Sequence, residues 1–220
     1  KYLLTNSVDI IISDVMMPGL QGDDFCRIVK SDMNTSHIPV ILLTAKTDRQ
    51  SIIDGLEYGA DDYISKPFEP TILKIRVKNV LLNRDKIRNY VQKELICEKK
   101  FGQSIYSNND LSALDKNFIE KCHNYVSEHM KEPNFKIVDL CMELAMSRTI
   151  LYEKLKSLTG ETPHSFILLL RMKRAAELLR QQIPIQETAL DVGFIDSKYF
   201  STVFKKYYGI QPSKYCEQSN

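Results

Sequence analysis

Three side chains of different chemistry stand where short strand-like runs end. Asp14 follows VDIIIS (8–13), Thr44 lies at the end of IPVILLTA (38–45), and Lys66 follows DDYIS (61–65) within ISKPF (64–68). A carboxylate can act as a nucleophile or a ligand, a hydroxyl can donate or accept a hydrogen bond, and an ammonium supplies a counter-charge. Singly, each has a plainer reading: Asp14 caps the following turn, Thr44 satisfies backbone at a strand end and Lys66 is solvated. As a set they require elements that bring all three to one edge.

The surrounding pattern supplies such elements. The first two runs are short, β-branched and unbroken, as in parallel strands covered on both faces, and DDYIS is a shorter third. Between them, DDFCRIVKSD (23–32) and DRQSIIDGLEYG (48–59) place apolar residues at helical spacing, the second stopping at Gly59. Strand and helix in alternation give right-handed parallel crossovers and a doubly wound sheet, whose chemistry sits beyond the carboxyl ends of the strands. A long helical pattern follows over 72–100, with Leu73, Val77, Val80, Ile87 and Val91 at three- and four-residue steps and Arg84 interrupting. Its first turns cover the sheet. Beyond Arg84 two readings stay open, a short coiled coil between two chains or a charged linker helix. FGQSIYSNND (101–110) reads as a flexible connection.

The remainder carries helix signals and no strand signal. LDKNFIEKCHNYVSEHM (114–130) is amphipathic, with Phe118, Cys122, Tyr125 and Val126 on one face. KIVDLCMELAMSRTILYEKLKSLTG (136–160) reads as two helices broken around Met146, the second capped by Ser147 and closed by Gly160. Pro163 opens a further helix, and IPIQETALDVGFIDSKYFSTVFKKYYG (183–209) repeats the pattern of helix, glycine turn and helix.

Charge divides the same way. Residues 1–85 hold 10 Lys and Arg against 12 Asp and Glu, and residues 86–220 hold 20 against 16, so the two parts suggest two jobs. Cys26, Cys97, Cys122, Cys141 and Cys216 form no C-x-x-C pair and read as reduced, mostly buried thiols. His37, His123, His129 and His164 are scattered and read as surface or capping residues. No apolar run reaches the ~18 residues of a bilayer span, and neither a signal peptide nor a glycine-rich nucleotide loop is evident.

ISDVMMPG (12–19), LLTAK (42–46) and GADDYISKPF (59–68), in this order, resemble the receiver domain of two-component response regulators. The resemblance implies that Asp14 is the phosphoacceptor, attacking a phosphohistidine donor to form an acyl phosphate. It implies that Thr44 turns onto the phosphoryl group, that Lys66 pairs with a phosphoryl oxygen and that Tyr63 is the aromatic switch. A carboxylate attacking another anion needs neutralising charge, here Lys66 and a magnesium ion. In the family, Mg²⁺ takes the phosphoacceptor carboxylate, the backbone carbonyl two positions on (Met16) and an acidic pair after the first strand. That pair has no counterpart here, where KYLLTNS (1–7) reads as the tail of the second helix. The expectation is a fragment of a longer chain, lacking roughly 50–60 upstream residues. Mg²⁺ is expected in the intact parent receiver, and weakly or not at all in this chain.

The C-terminal part resembles the AraC/XylS family of DNA-binding domains over about residues 114–216. The most specific stretch is ALDVGFIDSKYFSTVFKKYYGIQPSKY (189–215), with Ala189, Gly193, Phe194, Phe200, Phe204, Lys205, Gly209 and Pro212 in the family's pattern. The resemblance implies two recognition helices entering successive major-groove segments roughly 34 Å apart. On the first, Ser147, Arg148, Thr149, Tyr152 and Glu153 are the outward residues, with Ile150, Leu151, Leu155 and Leu158 in the core. Arg148 suits guanine O6 and N7 or a phosphate. On the second, Ser197, Lys198, Ser201 and Thr202 face outward between the core residues Tyr199, Phe200, Val203 and Phe204. Lys154, Lys156, Lys205 and Lys206 are expected on phosphates.

The fold expected is therefore α/β, a partial doubly wound parallel sheet (a truncated, flavodoxin-like receiver), followed by an all-α domain with two helix-turn-helix units. The domain ranges are 1–84 for the receiver, 85–113 for a helical or flexible linker and 114–220 for the DNA-binding domain. The function expected is a sequence-specific DNA-binding transcription regulator of a two-component phosphorelay, not itself an enzyme. In the alternative, the receiver remnant is only a phosphorylation-independent interaction or dimerisation module. The partners expected are double-stranded promoter DNA, a histidine kinase domain on the same or a separate chain, a second copy of this chain and the transcription machinery. The location expected is cytoplasmic, with a parent chain that an upstream sensor region could anchor to a membrane.

Overall fold

The structure is a computed structural model that describes residues 2–45, 58–96, 111–132 and 134–217. The chain forms two compact units, residues 1–119 with 149–160 and residues 120–148 with 161–220.

In the first unit, a 3₁₀ turn at Tyr2–Leu4 precedes strand β1 (Ile11–Asp14), helix α1 (Gly22–Ser31), β2 (Val40–Thr44), β3 (Asp62–Ser65) and helix α2 (Pro70–Ile96). The sheet is parallel in the order β1-β2-β3, with Asp14 opposite Leu43 and Thr44 opposite Ser65. Alternation explains its two covered faces. Val40 and Leu42 point to one side, where Val15, Cys26, Val29 and Ala60 join them. Ile41 and Ile64 point to the other and meet Val80 of α2, with Leu73 and Val77 beside it. Ile41 and Leu42 are fully buried, each contributing about 1.5–3 kcal/mol of burial.

Helix α2 runs on through Arg84. Ile87, Val91 and Leu95, beyond the point where the sheet ends, are buried within the chain itself. Neither a second chain nor a solvated linker is needed to account for them. The unit also includes the start of helix α3 (Ala113–His129) and nearly all of a helix at Arg148–Thr159, called α5 below.

The second unit holds the rest of α3, then α4 (Ile137–Glu143), α6 (Pro163–Arg180), α7 (Ile185–Asp191), α8 (Ser197–Tyr208) and α9 (Pro212–Glu217). Its ends follow local chemistry. Thr162 caps α6 by accepting from the Ser165 amide at 3.2 Å, with Pro163 at the first turn. Asp196 caps α8 by accepting from the amides of Lys198 and Tyr199, and Gly209 ends it at φ +78°. The core gathers Met172, Leu179, Ala189 and Val192 around Phe194, Phe200 and Phe204.

Two expectations are corrected. Tyr199, read as core, is 62% exposed, because Phe200 and Phe204, with Val203 and Tyr208 packed beside them, define the inward face of α8. His37, read as a surface or capping residue, is not at the surface but buried, and burial pushes its imidazole down to about 3. The helix expected over 48–59, the connection at 101–110 and Cys97 lie outside the described residues, apart from Tyr58 and Gly59. The expected division at residue 84 falls inside α2. Among the described residues, Cys26, Cys122 and Cys141 are buried and Cys216 is half-buried, and no helix is long and apolar enough to cross a membrane.

Candidate functional site

Parallel pairing continues past the strand ends and brings the three chemical side chains to one edge. The Val15 amide donates to the Leu43 carbonyl at 2.8 Å, and the Lys66 amide donates to the Thr44 carbonyl at 2.7 Å. The Lys66 ammonium forms an ion pair with Asp14 Oδ2. Asp14 Oδ1 accepts from the Met16 amide at 3.1 Å. The Lys66 hydrogen bond, and after it the Met16 amide, hold the Asp14 carboxyl below its ordinary value, so it is ionised at neutral pH. Thr44 is buried at the same edge. On β3, the Tyr63 hydroxyl donates to Asp23 Oδ1 of α1 at 2.8 Å. Burial first, and this carboxylate second, raise the phenol above its usual range.

A residue missed in the sequence holds this edge together. At Gly22, the first residue of α1, a Cβ would stand 2.2 Å from the Asp14 carbonyl oxygen and 2.8 Å from Val15 Cα. Only glycine lets α1 begin so close to the carboxylate-bearing strand. A glycine at the start of a helix, soon after a strand, was the available signal.

The metal expectation meets an incomplete donor set. Asp14 offers one carboxylate, already paired with Lys66, and among the described residues no group of three His, Cys, Asp or Glu side chains could hold a metal ion. The described residues do not build the octahedral oxygen site that Mg²⁺ demands. What the edge itself provides is an ionised carboxylate beside a cation and a buried hydroxyl.

The candidate DNA-reading residues lie on α5 and α8. Ser147, Arg148, Thr149, Tyr152 and Lys156 are exposed, with the Lys156 ammonium 5.4 Å from the centre of the Tyr152 ring. Glu153 is half-buried and accepts from the Ser7 hydroxyl at 2.9 Å. On α8, Lys198, Thr202, Lys205 and Lys206 are exposed, and Ser197 and Ser201 are half-buried. The Ser201 and Thr202 hydroxyls donate to the Ser197 and Lys198 carbonyls at 2.8 and 3.0 Å, which leaves only their lone pairs for a ligand.

Lys154 requires correction. Expected on a DNA phosphate, it is fully buried inside the first unit. Its three N–H groups donate to the Met33 carbonyl at 2.5 Å, Ser36 Oγ at 2.7 Å and Asp115 Oδ1 at 2.8 Å. Its ammonium also lies 5.0 Å from the centre of the Phe118 ring. An ammonium has three donors, and all three are spent, so Lys154 has nothing to offer a phosphate.

Residues 1–78 match the response regulator receiver domain, and residues 140–218 match a helix-turn-helix domain. The chain is 38% identical over 219 residues to a protein of Formosa agariphila named histidine kinase P4, covering 98% of this chain and 15% of that one. It is 47% identical over 77 residues to the DNA-binding response regulator MtrA of Mycolicibacterium paratuberculosis, covering 35% of this chain and 33% of the relative. Among solved structures, the C-terminal domain of the two-component response regulator yesN from Fusobacterium nucleatum is 34% identical. It covers 46% of this chain and 98% of that one, at a TM-score of 0.43. The chain thus spans between about a seventh and a third of the length of these two full-length relatives. With a parallel sheet that carries Asp14 and Lys66 at its edge, and with both domain models matched in this order, the chain joins a response regulator receiver domain to a helix-turn-helix domain.

Proposed function

We propose that this chain is the regulator portion of a two-component phosphorelay, binding promoter DNA through α5 and α8, with Asp14 as phosphoacceptor in the parent polypeptide. The observation that carries the reading is α8. It follows a glycine turn, is capped by Asp196, and turns Lys198, Lys205 and Lys206 to solvent. Such a helix suits a phosphate-lined groove. Arg148 and Lys156 give α5 the same character, and Lys154 is removed from the set. A net charge of only +2 over residues 115–220 supports modest affinity per copy and binding as a homodimer. The domain ranges 1–84, 85–113 and 114–220 belong to this reading. So do a histidine kinase partner on the same or a separate chain, contact with the transcription machinery and a Mg²⁺ site completed by acids that the described residues do not supply. The chain itself performs no turnover in this reading, because Asp14 carries the phosphoryl group as a signal.

The incomplete donor set favours a second reading, in which the receiver portion acts by contact alone. The two separate cleanly. The chain and a form extended upstream are treated with phosphoramidate and Mg²⁺, and hydroxylamine-sensitive phosphoryl incorporation is measured together with affinity for duplex DNA. Incorporation in the extended form, its loss in Asp14→Asn and a change in DNA affinity on phosphorylation are expected. An Asp14→Asn variant that incorporates phosphate and binds DNA as the parent does would leave only the contact reading.

A further inference from the structure

Helix α8 turns one face to solvent, and that face is not wholly polar. Lys198, Tyr199, Thr202, Lys205 and Lys206 are exposed on it, opposite the buried Phe200 and Phe204. Tyr199 is 62% exposed, and Ile195, just before the Asp196 cap, is 78% exposed. The helical angle supports the grouping: seven residues make nearly two turns, so Tyr199, Thr202 and Lys206 fall within one narrow stripe.

Two large apolar side chains in water beside three ammonium groups are a poor solution for a solvated helix. They suit a surface that meets a polyanion carrying apolar marks of its own. The polar groups near the middle of the face are partly spent, since the Ser201 and Thr202 hydroxyls donate to carbonyls of their own helix. The lysines attract phosphates without reading sequence. What remains able to discriminate near the start of α8 is an apolar surface. In the DNA major groove, the apolar mark of a base is the 5-methyl group of thymine. The Tyr199 ring is also held in place, with its centre 5.9 Å from that of Phe194 and the planes at 44°. A held aromatic loses little conformational freedom on contact.

We infer that Tyr199 is a specificity-determining residue that packs on thymine methyl groups when α8 enters the major groove, with Ile195 extending the same apolar edge. The inference rests on the reading of the chain as a DNA-binding regulator and assigns that site its base preference. Tyr199 is exposed, so its replacement leaves the core intact, and unchanged circular dichroism and melting temperature verify this for each variant.

The test uses the full 220-residue chain and a duplex selected by it from a random-sequence pool. Thymines of the selected site are then replaced one at a time by deoxyuridine, which removes only the methyl group. At one or two positions the replacement is expected to weaken binding by about fourfold per methyl. Tyr199→Ala is expected to weaken binding to the thymine site and to abolish its difference from the deoxyuridine site, whereas Tyr199→Phe keeps both. Deoxyuridine without effect at every position would overturn the inference, as would Tyr199→Phe behaving like Tyr199→Ala, which would make the hydroxyl a phosphate contact. A pool that yields no sequence bound above background overturns the DNA-binding reading, and the inference with it.

Discussion

Replacing Lys154 by methionine is expected to destabilise the chain by about 3–5 kcal/mol, the usual cost of removing one member of a buried ion pair. Methionine fills much of the lysine's volume, so the loss is electrostatic rather than a cavity. The Asp115 carboxylate is 3% exposed and accepts from the Ser36 hydroxyl at 2.7 Å, and the variant leaves it with no cation beside it. Burial alone would push the Asp115 carboxyl up. The Lys154 charge and hydrogen bond, with those of Ser36 and Ser112, outweigh burial and leave it below its ordinary value. The sign follows: a carboxyl lowered in the folded chain contributes stability that is present above its unfolded value of about 3.9 and is lost as the pH falls through the folded value. Urea unfolding near pH 7 should show the deficit of Lys154→Met. At a pH low enough to protonate Asp115 in the parent, the gap should narrow. A double variant, Lys154→Met with Asp115→Leu, should recover most of the loss, because neither buried charge is then left alone. A single variant as stable as the parent would show that the pair is not formed. The slope of DNA affinity against salt should be unchanged in Lys154→Met, since this ammonium is buried.

Gly193→Ala is expected to cost the second unit a comparable amount, for steric reasons. Gly193 sits at φ +78° in the turn between α7 and α8, a conformation that costs a residue with a Cβ about 1–2 kcal/mol. The added Cβ would also stand 2.1 Å from the Met130 carbonyl oxygen and 2.7 Å from Arg171 Nη2. Arg171 donates to the Met130 and Glu132 carbonyls at 3.2 and 3.4 Å. Relieving the clash therefore means moving backbone or displacing that guanidinium. Overpacking of this kind costs about 1–3 kcal/mol, for a total of about 2–5 kcal/mol with the conformational part. Gly209 provides the control. Its φ is also +78°, but nothing lies within 4 Å of a Cβ there, so Gly209→Ala should lose only the conformational part. Equal melting temperatures for Gly193→Ala and Gly209→Ala would contradict the close approach of the Met130 carbonyl, just past α3, to the turn.

Much of the architecture was legible because local chemistry and global structure agree. The three strands are the runs read as strands, starting one to three residues later, and their carboxyl ends carry Asp14, Thr44 and Lys66 as the parallel topology requires. The glycine end at Gly160 could be read directly, since it depends on neighbours one to four positions away. The failures share a cause of the opposite kind. Nothing local marks Lys154 as buried: its partners Ser36 and Asp115 are 118 and 39 positions distant. On a helix expected at DNA, a lysine reads as a phosphate contact. Tyr199 was assigned to the core because aromatic residues usually go there, yet its angular position places it with Thr202 and Lys206. Gly22 went unnoticed because its constraint is a carbonyl on a neighbouring strand, visible only once α1 and β1 are brought together. The apolar stripe of α2 beyond Arg84 was legible as a stripe, but what covers it depends on packing across the first unit.

The most direct test of the regulator reading is the affinity of the 220-residue chain for a fluorescent duplex, followed from 50 to about 300 mM salt, a range over which phosphate contacts weaken steeply. Arg148, Lys156, Lys198, Lys205 and Lys206 are the exposed cations of α5 and α8. If about three to five of them meet phosphates, log affinity should fall linearly with log salt at a slope of about −3 to −5, and removing any one contact should reduce the slope by about one. Affinity that is absent at low salt, or that does not change across the gradient, would contradict DNA binding by these helices.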